Sequence, residues 1–200
     1  MRILAINGSP RKGMSTCFAL EQALNAAKAV SSEIETELIE LGGLDIRYCI
    51  GCNRCREPLT CVHDDDFMKL LPKLTQPDIG GIIIGTPVYM GAMTGLLKNF
   101  LDRAIMLRRA KFLWQNIVAG TLAVGAARNG GQELANQAVQ NALFAQNMVL
   151  VSDGPKFCHY GATLSSGLPG GIESDEFGLT TARNLGQRVA ELALKLHGRP

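Results

Sequence analysis

The chain has 200 residues, of which 46% are hydrophobic and 19% are charged, and its formal net charge is +2. This composition is typical of a globular domain with a sizeable core and excludes a disordered chain. The small net charge gives no reason to expect nucleic acid or an anionic membrane as a partner. No apolar run reaches the ~18 residues of a membrane span, and residues 1–10 lack the long apolar region of a secretory signal, so a cytoplasmic location is expected.

Short apolar runs alternate with amphipathic patterns along the chain. The runs predict strands at residues 2–7, 34–41, 79–85, 121–126 and 148–151. Apolar residues at helical spacing predict helices at residues 17–30, 64–74, 94–109, 132–146 and 175–196. Residues 153–171 are rich in glycine and serine and show no periodicity. Because strands alternate with helices and no linker or repeat divides the chain, the sequence predicts one α/β domain over residues 1–200, with a doubly wound parallel sheet of five strands.

Ligands of open α/β sheets bind beyond the carboxyl ends of the strands, so the loops there are informative. Residues 8–16 combine hydroxyl groups, two cations and the N–H groups of a helix N-terminus, which suit a phosphate. They nearly match the pattern GxxxxGK[ST], but Met14 stands where a triphosphate-binding loop needs lysine. The loop therefore favours a single terminal phosphate, with a solvated turn and helix cap as the alternative.

Four of the six cysteines are clustered in the segment 47–63, with the spacing C-x2-C-x2-C-x5-C. They are Cys49, Cys52, Cys55 and Cys61. In a chain without an export signal, such clustering favours metal ligation over disulfides. Two-residue gaps let one compact loop wrap a cuboidal cluster, whereas zinc sites usually divide their ligands into two separated pairs. The spacing favours a [4Fe–4S] cluster, with a zinc site and metal-free redox thiols as alternatives.

Several other residues have structural interpretations. Asp64, Asp65 and Asp66 are expected to cap the helix that follows them and not to bind metal. Cys17 and Cys158 stand apart and are expected to be buried as small hydrophobic residues. Tryptophan is enriched at protein interfaces, so we expect the single tryptophan, residue 114, at a subunit contact.

Three segments together resemble the flavodoxin-like NAD(P)H-dependent FMN reductase superfamily. They are GSPRKGMST at residues 8–16, TPVYMGAMTGLLKNFLDR at residues 86–103 and AVGAARNGGQE at residues 123–133. Within that superfamily, the cysteine segment resembles the iron–sulfur flavoprotein family of anaerobic microbes. The resemblance covers residues 2–151 and implies a flavodoxin-like sheet of strand order 2-1-3-4-5 that binds FMN.

The resemblance also implies a role for each loop. The first loop would bind the FMN phosphate, the second would run along the ribityl chain and isoalloxazine, and the third would lie against the flavin ring. The implied FMN-binding residues are Ser9, Arg11, Ser15, Thr16 and Cys17 in the first loop, Pro87, Val88, Tyr89, Met90 and Gly91 in the second, and Ala127, Arg128, Gly130 and Gly131 in the third. Cys49, Cys52, Cys55 and Cys61 would hold the [4Fe–4S] cluster.

The function implied by the resemblance is electron transfer. A ferredoxin-like donor, or NAD(P)H, would supply electrons that pass through the cluster to FMN and on to O2, H2O2 or a quinone-like acceptor. Because the family places the cluster of one subunit near the flavin of another, a homodimer or homotetramer is expected. Two alternatives remain open: an NAD(P)H-dependent FMN or quinone reductase without a cluster, and a non-enzymatic redox sensor or zinc-stabilised flavin-binding module.

Overall fold

The computed structural model describes residues 1–155 and 157–198 and contains a central sheet with helices on both faces. The strands are β1 (Arg2–Asn7), β2 (Glu35–Glu40), β3 (Ile79–Pro87), β4 (Val118–Gly125), β5 (Val149–Leu150) and β6 (Ala162–Ser165). The α-helices are α1 (Ser15–Lys28), α2 (Asp66–Leu74), α3 (Gly95–Arg103), α4 (Ile105–Arg109), α5 (Gln132–Phe144) and α6 (Glu176–His197). Short 3-10 turns cover Arg54–Arg56 and Gly171–Ser174. Across these described ranges, no helix has the length and apolar character needed to cross a membrane.

The sheet has the order β2-β1-β3-β4-β5, and its strands pair in parallel. This confirms the predicted flavodoxin-like doubly wound fold. β4 is buried along its whole length, and β3 is buried except at Pro87, because helices cover both faces of the sheet. The strand order reverses between β1 and β3, which makes the carboxyl ends of these strands the expected place for a ligand.

The fifth position of the sheet differs from the prediction, because two strands share it. β5 pairs with residues 118–119 of β4, and β6 pairs with residues 122–125 of the same strand. Between them the chain leaves the sheet, and we call the described residues of 151–161 the edge loop. The sequence did not predict β6, because its four residues lie within the glycine- and serine-rich stretch and are too few to show a strand period.

The core consists of two hydrophobic clusters, one on each side of the sheet. Successive residues of β1 point to opposite faces, so Leu4 belongs to one cluster and Ile3 to the other. Trp114 is fully buried in the first cluster, where its indole Nε1 donates to the carbonyl oxygen of Leu74 at 2.9 Å. The expectation of a subunit contact at Trp114 is therefore wrong, because this side chain packs inside the domain and its polar atom is satisfied there.

A buried ion pair fixes both ends of the cysteine segment. Arg103, at the end of α3, donates to the two carboxylate oxygens of Asp65 at 2.7 and 3.1 Å, and the two side chains are 2% and 0% exposed. The same pair binds the backbone of Arg47, whose N–H donates to Asp65 at 3.1 Å and whose carbonyl oxygen accepts from Arg103 at 3.1 Å. The backbone just before the first cysteine and the aspartate that follows the last are thereby attached to one helix.

The aspartates at the start of α2 hold the preceding chain instead of capping the helix. Asp65 occupies the N-cap position but makes no side-chain capping hydrogen bond, and the Asp66 carboxylate accepts from the N–H of Asp45 at 2.8 Å. The predicted capping role is wrong for these two residues, because the more distant partners take their carboxylates. Burial alone would raise the pKa of Asp65, but the hydrogen bonds from Arg103 and Arg47 outweigh burial and hold that pKa below its usual value.

Removing the carboxylate charge of this pair should destabilise the fold. Asp65→Asn leaves the buried Arg103 guanidinium without a counter-charge, so we expect the free energy of unfolding to fall by about 3–5 kcal/mol. Asp45→Asn is the matched control, since its ion pair with Arg47 is largely exposed and worth below about 1 kcal/mol. Urea unfolding followed by circular dichroism measures both variants, and equal stability of the two would contradict the role of the buried pair.

Candidate functional site

Three loops meet at the carboxyl end of the sheet. The first loop (residues 8–16) follows β1, the second (residues 87–94) begins at the end of β3, and the third (residues 126–131) follows β4. Thr94 joins the first two, because its hydroxyl donates to the carbonyl oxygen of Gly8 at 2.6 Å. The second loop is attached to β4, where the N–H of Val88 donates to the carbonyl oxygen of Val124 at 2.9 Å.

Two glycines allow these loops to approach so closely. A Cβ at Gly8 would lie 2.7 Å from the Cβ of Leu97, so a larger residue would push the first loop away from α3. Gly131 has a φ of 92° that favours glycine, and a Cβ there would be 3.4 Å from both the Cα of Gly91 and Cγ1 of Val88. The second and third loops are therefore in contact, as the predicted site requires.

The start of α1 presents donors with no partner of their own in the described part of the chain. Phe18 is the first residue of α1 whose N–H bonds to the helix, to the carbonyl oxygen of Met14 at 3.0 Å. The N–H groups of Ser15, Thr16 and Cys17 precede it, and Met14 provides no side-chain cap. Together with two hydroxyl groups, these amides form a donor set that suits an oxyanion.

The other predicted residues of the first loop have different roles. The Ser9 hydroxyl accepts from the N–H of Arg11 at 3.1 Å and so holds the loop itself, while the Arg11 side chain is exposed. The buried Cys17 confirms its predicted burial. Burial, with the neighbouring carboxylates of Glu40 and Glu21, raises the pKa of the Cys17 thiol to about 12, so it stays protonated and is not a nucleophile.

The second loop projects from the domain as a tight turn. The backbones of Tyr89 and Ala92 exchange two hydrogen bonds of 2.9 and 3.0 Å, which place Met90 and Gly91 at the tip. Met90 is fully exposed and Tyr89 about half exposed. Pro87 and Val88, at the base of the turn, are partly buried beside the third loop.

The third loop is held by a side chain that sequence reasoning missed. Gln132, at the start of α5, accepts from the N–H of Gly130 at 2.7 Å and donates to the carbonyl oxygens of Ala127 and Leu164 at 2.6 and 3.1 Å. The sequence signal that could have identified Gln132 is its place directly after two glycines, at the predicted start of a helix. The Arg128 guanidinium pairs with Asp175 at the start of α6 in the same chain, and its predicted contact with a flavin stays a prediction.

All four cysteines of the cysteine segment line one cavity of about 370 Å³. Arg103 and Arg109 lie on its other wall, and Nη1 of Arg109 donates to the Sγ of Cys55 at 2.9 Å. The Sγ of Cys61 accepts from the N–H of His63 at 3.5 Å. No three His, Cys, Asp or Glu side chains within residues 1–155 and 157–198 form a group that could hold a metal ion. The four thiols thus share a cavity without converging on a single point.

Cys158 lies apart from this cavity. It is exposed in the edge loop, where its Sγ donates to the carbonyl oxygen of Gly154 at 3.1 Å. The prediction that Cys158 is a buried small hydrophobic residue is therefore wrong, because the chain has left the sheet at this point.

Comparisons with known proteins show the family to which the chain belongs. The NADPH-dependent FMN reductase family matches residues 1–160. An iron–sulfur flavoprotein of Methanocaldococcus jannaschii is 42% identical over 192 residues, which cover 96% of this chain and 97% of that protein. An iron–sulfur flavoprotein of Methanosarcina thermophila is 33% identical over 199 residues, which cover 96% of this chain and 95% of that protein.

A solved structure shares the fold. The crystal structure of RosB with a bound intermediate, 8-demethyl-8-formylriboflavin-5'-phosphate, has a TM-score of 0.72 to this chain at 18% identity, and the match covers 100% of this chain and 82% of that one. Sequence and fold therefore agree: the chain belongs to the iron–sulfur flavoprotein family, within the flavodoxin-like NAD(P)H-dependent FMN reductases, and is an FMN-dependent oxidoreductase.

Proposed function

We propose that the protein transfers electrons from a ferredoxin-like donor, through a [4Fe–4S] cluster on Cys49, Cys52, Cys55 and Cys61, to FMN and on to a small acceptor. O2, H2O2 and quinone-like compounds are the acceptors that we consider. The observation that carries the proposal is the common cavity of the four cysteines, at the far end of the helix that begins beside the FMN loops. This helix, α3, has nine residues and is about 13 Å long.

The chain offers FMN a donor set that fits its phosphate. We propose that the hydroxyls of Ser15 and Thr16, with the N–H groups of residues 15–17, bind the phosphate, since none of these groups has a partner in the described chain. Arg11 is exposed at the mouth of the same loop. The touching second and third loops provide backbone groups for the flavin ring, and bound FMN supplies the exchange of one and two electrons.

The cysteine cavity fits a cluster better than a zinc ion. Structural zinc sites usually divide their ligands into two separated pairs, whereas three of these cysteines follow one another at two-residue gaps. A cuboidal cluster instead holds its thiolates apart, around its corners, and so suits cysteines that surround a cavity. Arg109 already donates to Cys55, and hydrogen bonds to cluster sulfurs are among the factors that set the reduction potential.

A second candidate is an NADPH-dependent FMN reductase whose cysteines hold no cluster. The matching family description favours it, because that description names NADPH as the reductant. For either function we propose one FMN-binding domain over residues 1–200, a cytoplasmic location, and a homodimer or homotetramer without nucleic acid or membrane partners.

The iron, sulfide and flavin content of the purified protein distinguishes the cluster-containing electron carrier from the reductase without a cluster. Protein prepared without air should contain about four irons and four sulfides per chain, together with FMN. Cys55→Ala should lose the iron and keep the flavin, whereas Cys158→Ala, the matched control in the edge loop, should keep both. Flavin without iron in the unmodified protein would contradict the cluster and favour the NADPH-dependent reductase, and zinc would favour a zinc-stabilised flavin-binding module.

The contact between the first and second loops should control FMN affinity. Thr94→Val removes the hydroxyl that donates to Gly8 and leaves buried groups unsatisfied, which costs about 1–3 kcal/mol. If the loops bind FMN together, the dissociation constant should rise roughly 5- to 150-fold. Quenching of FMN fluorescence on titration of the flavin-free protein measures this constant. Thr180→Val is the control, since its hydroxyl bonds only within α6, and equal affinities of the two variants would argue against the proposed FMN site.

A further inference from the structure

The edge loop contains an aspartate–histidine pair that the proposed electron path does not use. Asp153 is fully buried, and its Oδ1 accepts from the backbone N–H of His159 at 2.6 Å. Its Oδ2 lies 2.9 Å from Nδ1 of the same histidine. A carboxylate accepts hydrogen bonds, so Nδ1 carries a hydrogen towards Asp153, and Nε2 is the nitrogen left for other partners.

Two aromatic rings fix the orientation of this imidazole. Phe157 stacks on it with ring centroids 5.8 Å apart and planes inclined by 13°. Phe177 meets it edge-on at 6.1 Å. The His159 side chain is nevertheless 32% exposed. Held by a carboxylate and two rings, yet accessible, this imidazole has the environment of a proton-transfer group rather than that of a core residue.

His159 borders a cavity of about 520 Å³ next to the third loop. Arg128 and Gly131 of that loop line the same cavity, so it adjoins the place proposed for the flavin ring. Phe177 provides an aromatic wall, and the hydroxyl of Thr163 has no partner within the described residues. The charge of Arg128 is balanced by Asp175, and the guanidinium lies over the ring of Phe177. Among the described residues, this cavity therefore offers no unpaired cation for an anionic ligand, and the carboxylate of Glu133 on its wall also disfavours an anion. With its aromatic wall, the cavity suits a neutral, planar ligand.

We propose that this cavity binds a quinone-like acceptor, a neutral planar dicarbonyl compound, and that His159 donates a proton to it. The inference rests on the proposed function, because the electrons come from reduced FMN. A quinone takes up two electrons and two protons to become the hydroquinone. Bound reduced FMN would supply both electrons and one proton. The second proton would pass to the quinone oxygen from Nε2 of a His159 ring that is protonated on both nitrogens, and water would return a proton to Nε2. Asp153 is a positioning residue that holds the ring and its tautomer.

The test uses FMN-loaded protein, purified without air and reduced with dithionite. It is mixed with 1,4-naphthoquinone or with ferricyanide, which takes single electrons and no proton, and flavin reoxidation is followed by stopped-flow absorbance. His159→Gln should slow reoxidation by naphthoquinone roughly 10²-fold, the effect of losing a general acid, and leave reoxidation by ferricyanide unchanged. Asp153→Asn should slow the quinone reaction less. His197→Gln, a histidine at the end of α6, is the matched control and should resemble the unmodified protein.

Binding is measured separately from turnover. Naphthoquinone should perturb the flavin absorbance of the oxidised protein, Phe177→Leu should weaken this binding, and His159→Gln should retain it. Retained binding in His159→Gln separates proton donation from a collapsed loop, because loss of the edge loop would remove both binding and rate.

The outcomes distinguish this inference from the proposed function. Three results would overturn the inference and leave the flavin site intact. His159→Gln could slow flavin reoxidation equally with both acceptors, or with neither. The unmodified protein could also react with ferricyanide but not with naphthoquinone. Protein without iron would overturn the electron path, but this test starts from chemically reduced flavin and would still give its answer. Protein that retains no FMN would overturn the proposed function itself.

Discussion

The position of the cysteine segment depends on one buried charge, that of Arg103, which needs a counter-charge. Arg103 is placed by α3, and an unpaired guanidinium in that position would cost several kcal/mol. Its pairing with Asp65 therefore determines where α2 begins, and the contacts of both side chains with Arg47 determine where the cysteine segment leaves the core. The 3-10 turn that carries Cys55 has no fully buried residue, so the fixed ends of the segment add to the partial packing of Cys55 and Cys61 against the core.

The three loops at the carboxyl end of the sheet, where we propose that FMN binds, are also held by buried polar side chains. Thr94 attaches the first loop to the start of α3, and Gln132 attaches the third loop to the start of α5. α3 thus begins at the flavin loops and ends at the ion pair beside the cysteines. Because this one nine-residue helix lies between the proposed FMN site and the cysteine cavity, it fixes the position of one relative to the other.

Local patterns in the sequence were sufficient for the strands β1 to β5, for most helices and for the positions of the three loops. Buried parallel strands appear as apolar runs, and glycine with hydroxyl residues marks backbone that must approach a ligand. The single helix expected at residues 94–109 is divided at Ala104, a break without a proline or glycine to signal it. The FMN and cluster roles of the individual residues remain predictions.

Pairings between distant residues could not be predicted. Asp65 and Arg103 are 38 positions apart, and nothing local separates a helix-capping aspartate from one that neutralises a buried arginine. Trp114 is similar, because its carbonyl partner lies 40 positions away. Arg128 pairs with Asp175, 47 positions away at the start of α6, and no local pattern reveals this partner. β6 was missed for a related reason, since only its pairing with β4 identifies it as a strand.

The division of the fifth strand has a consequence for how such proteins diversify. β5 and β6 both keep their register with β4, so the chain between them can lengthen, shorten or change composition while the sheet retains its pairing. Insertions between β5 and β6 lower the free energy of unfolding only slightly, because the entropy lost on closing a loop grows slowly with its length. If the edge loop binds the acceptor, as we propose, replacing this loop would change the acceptor while the sheet keeps its pairing.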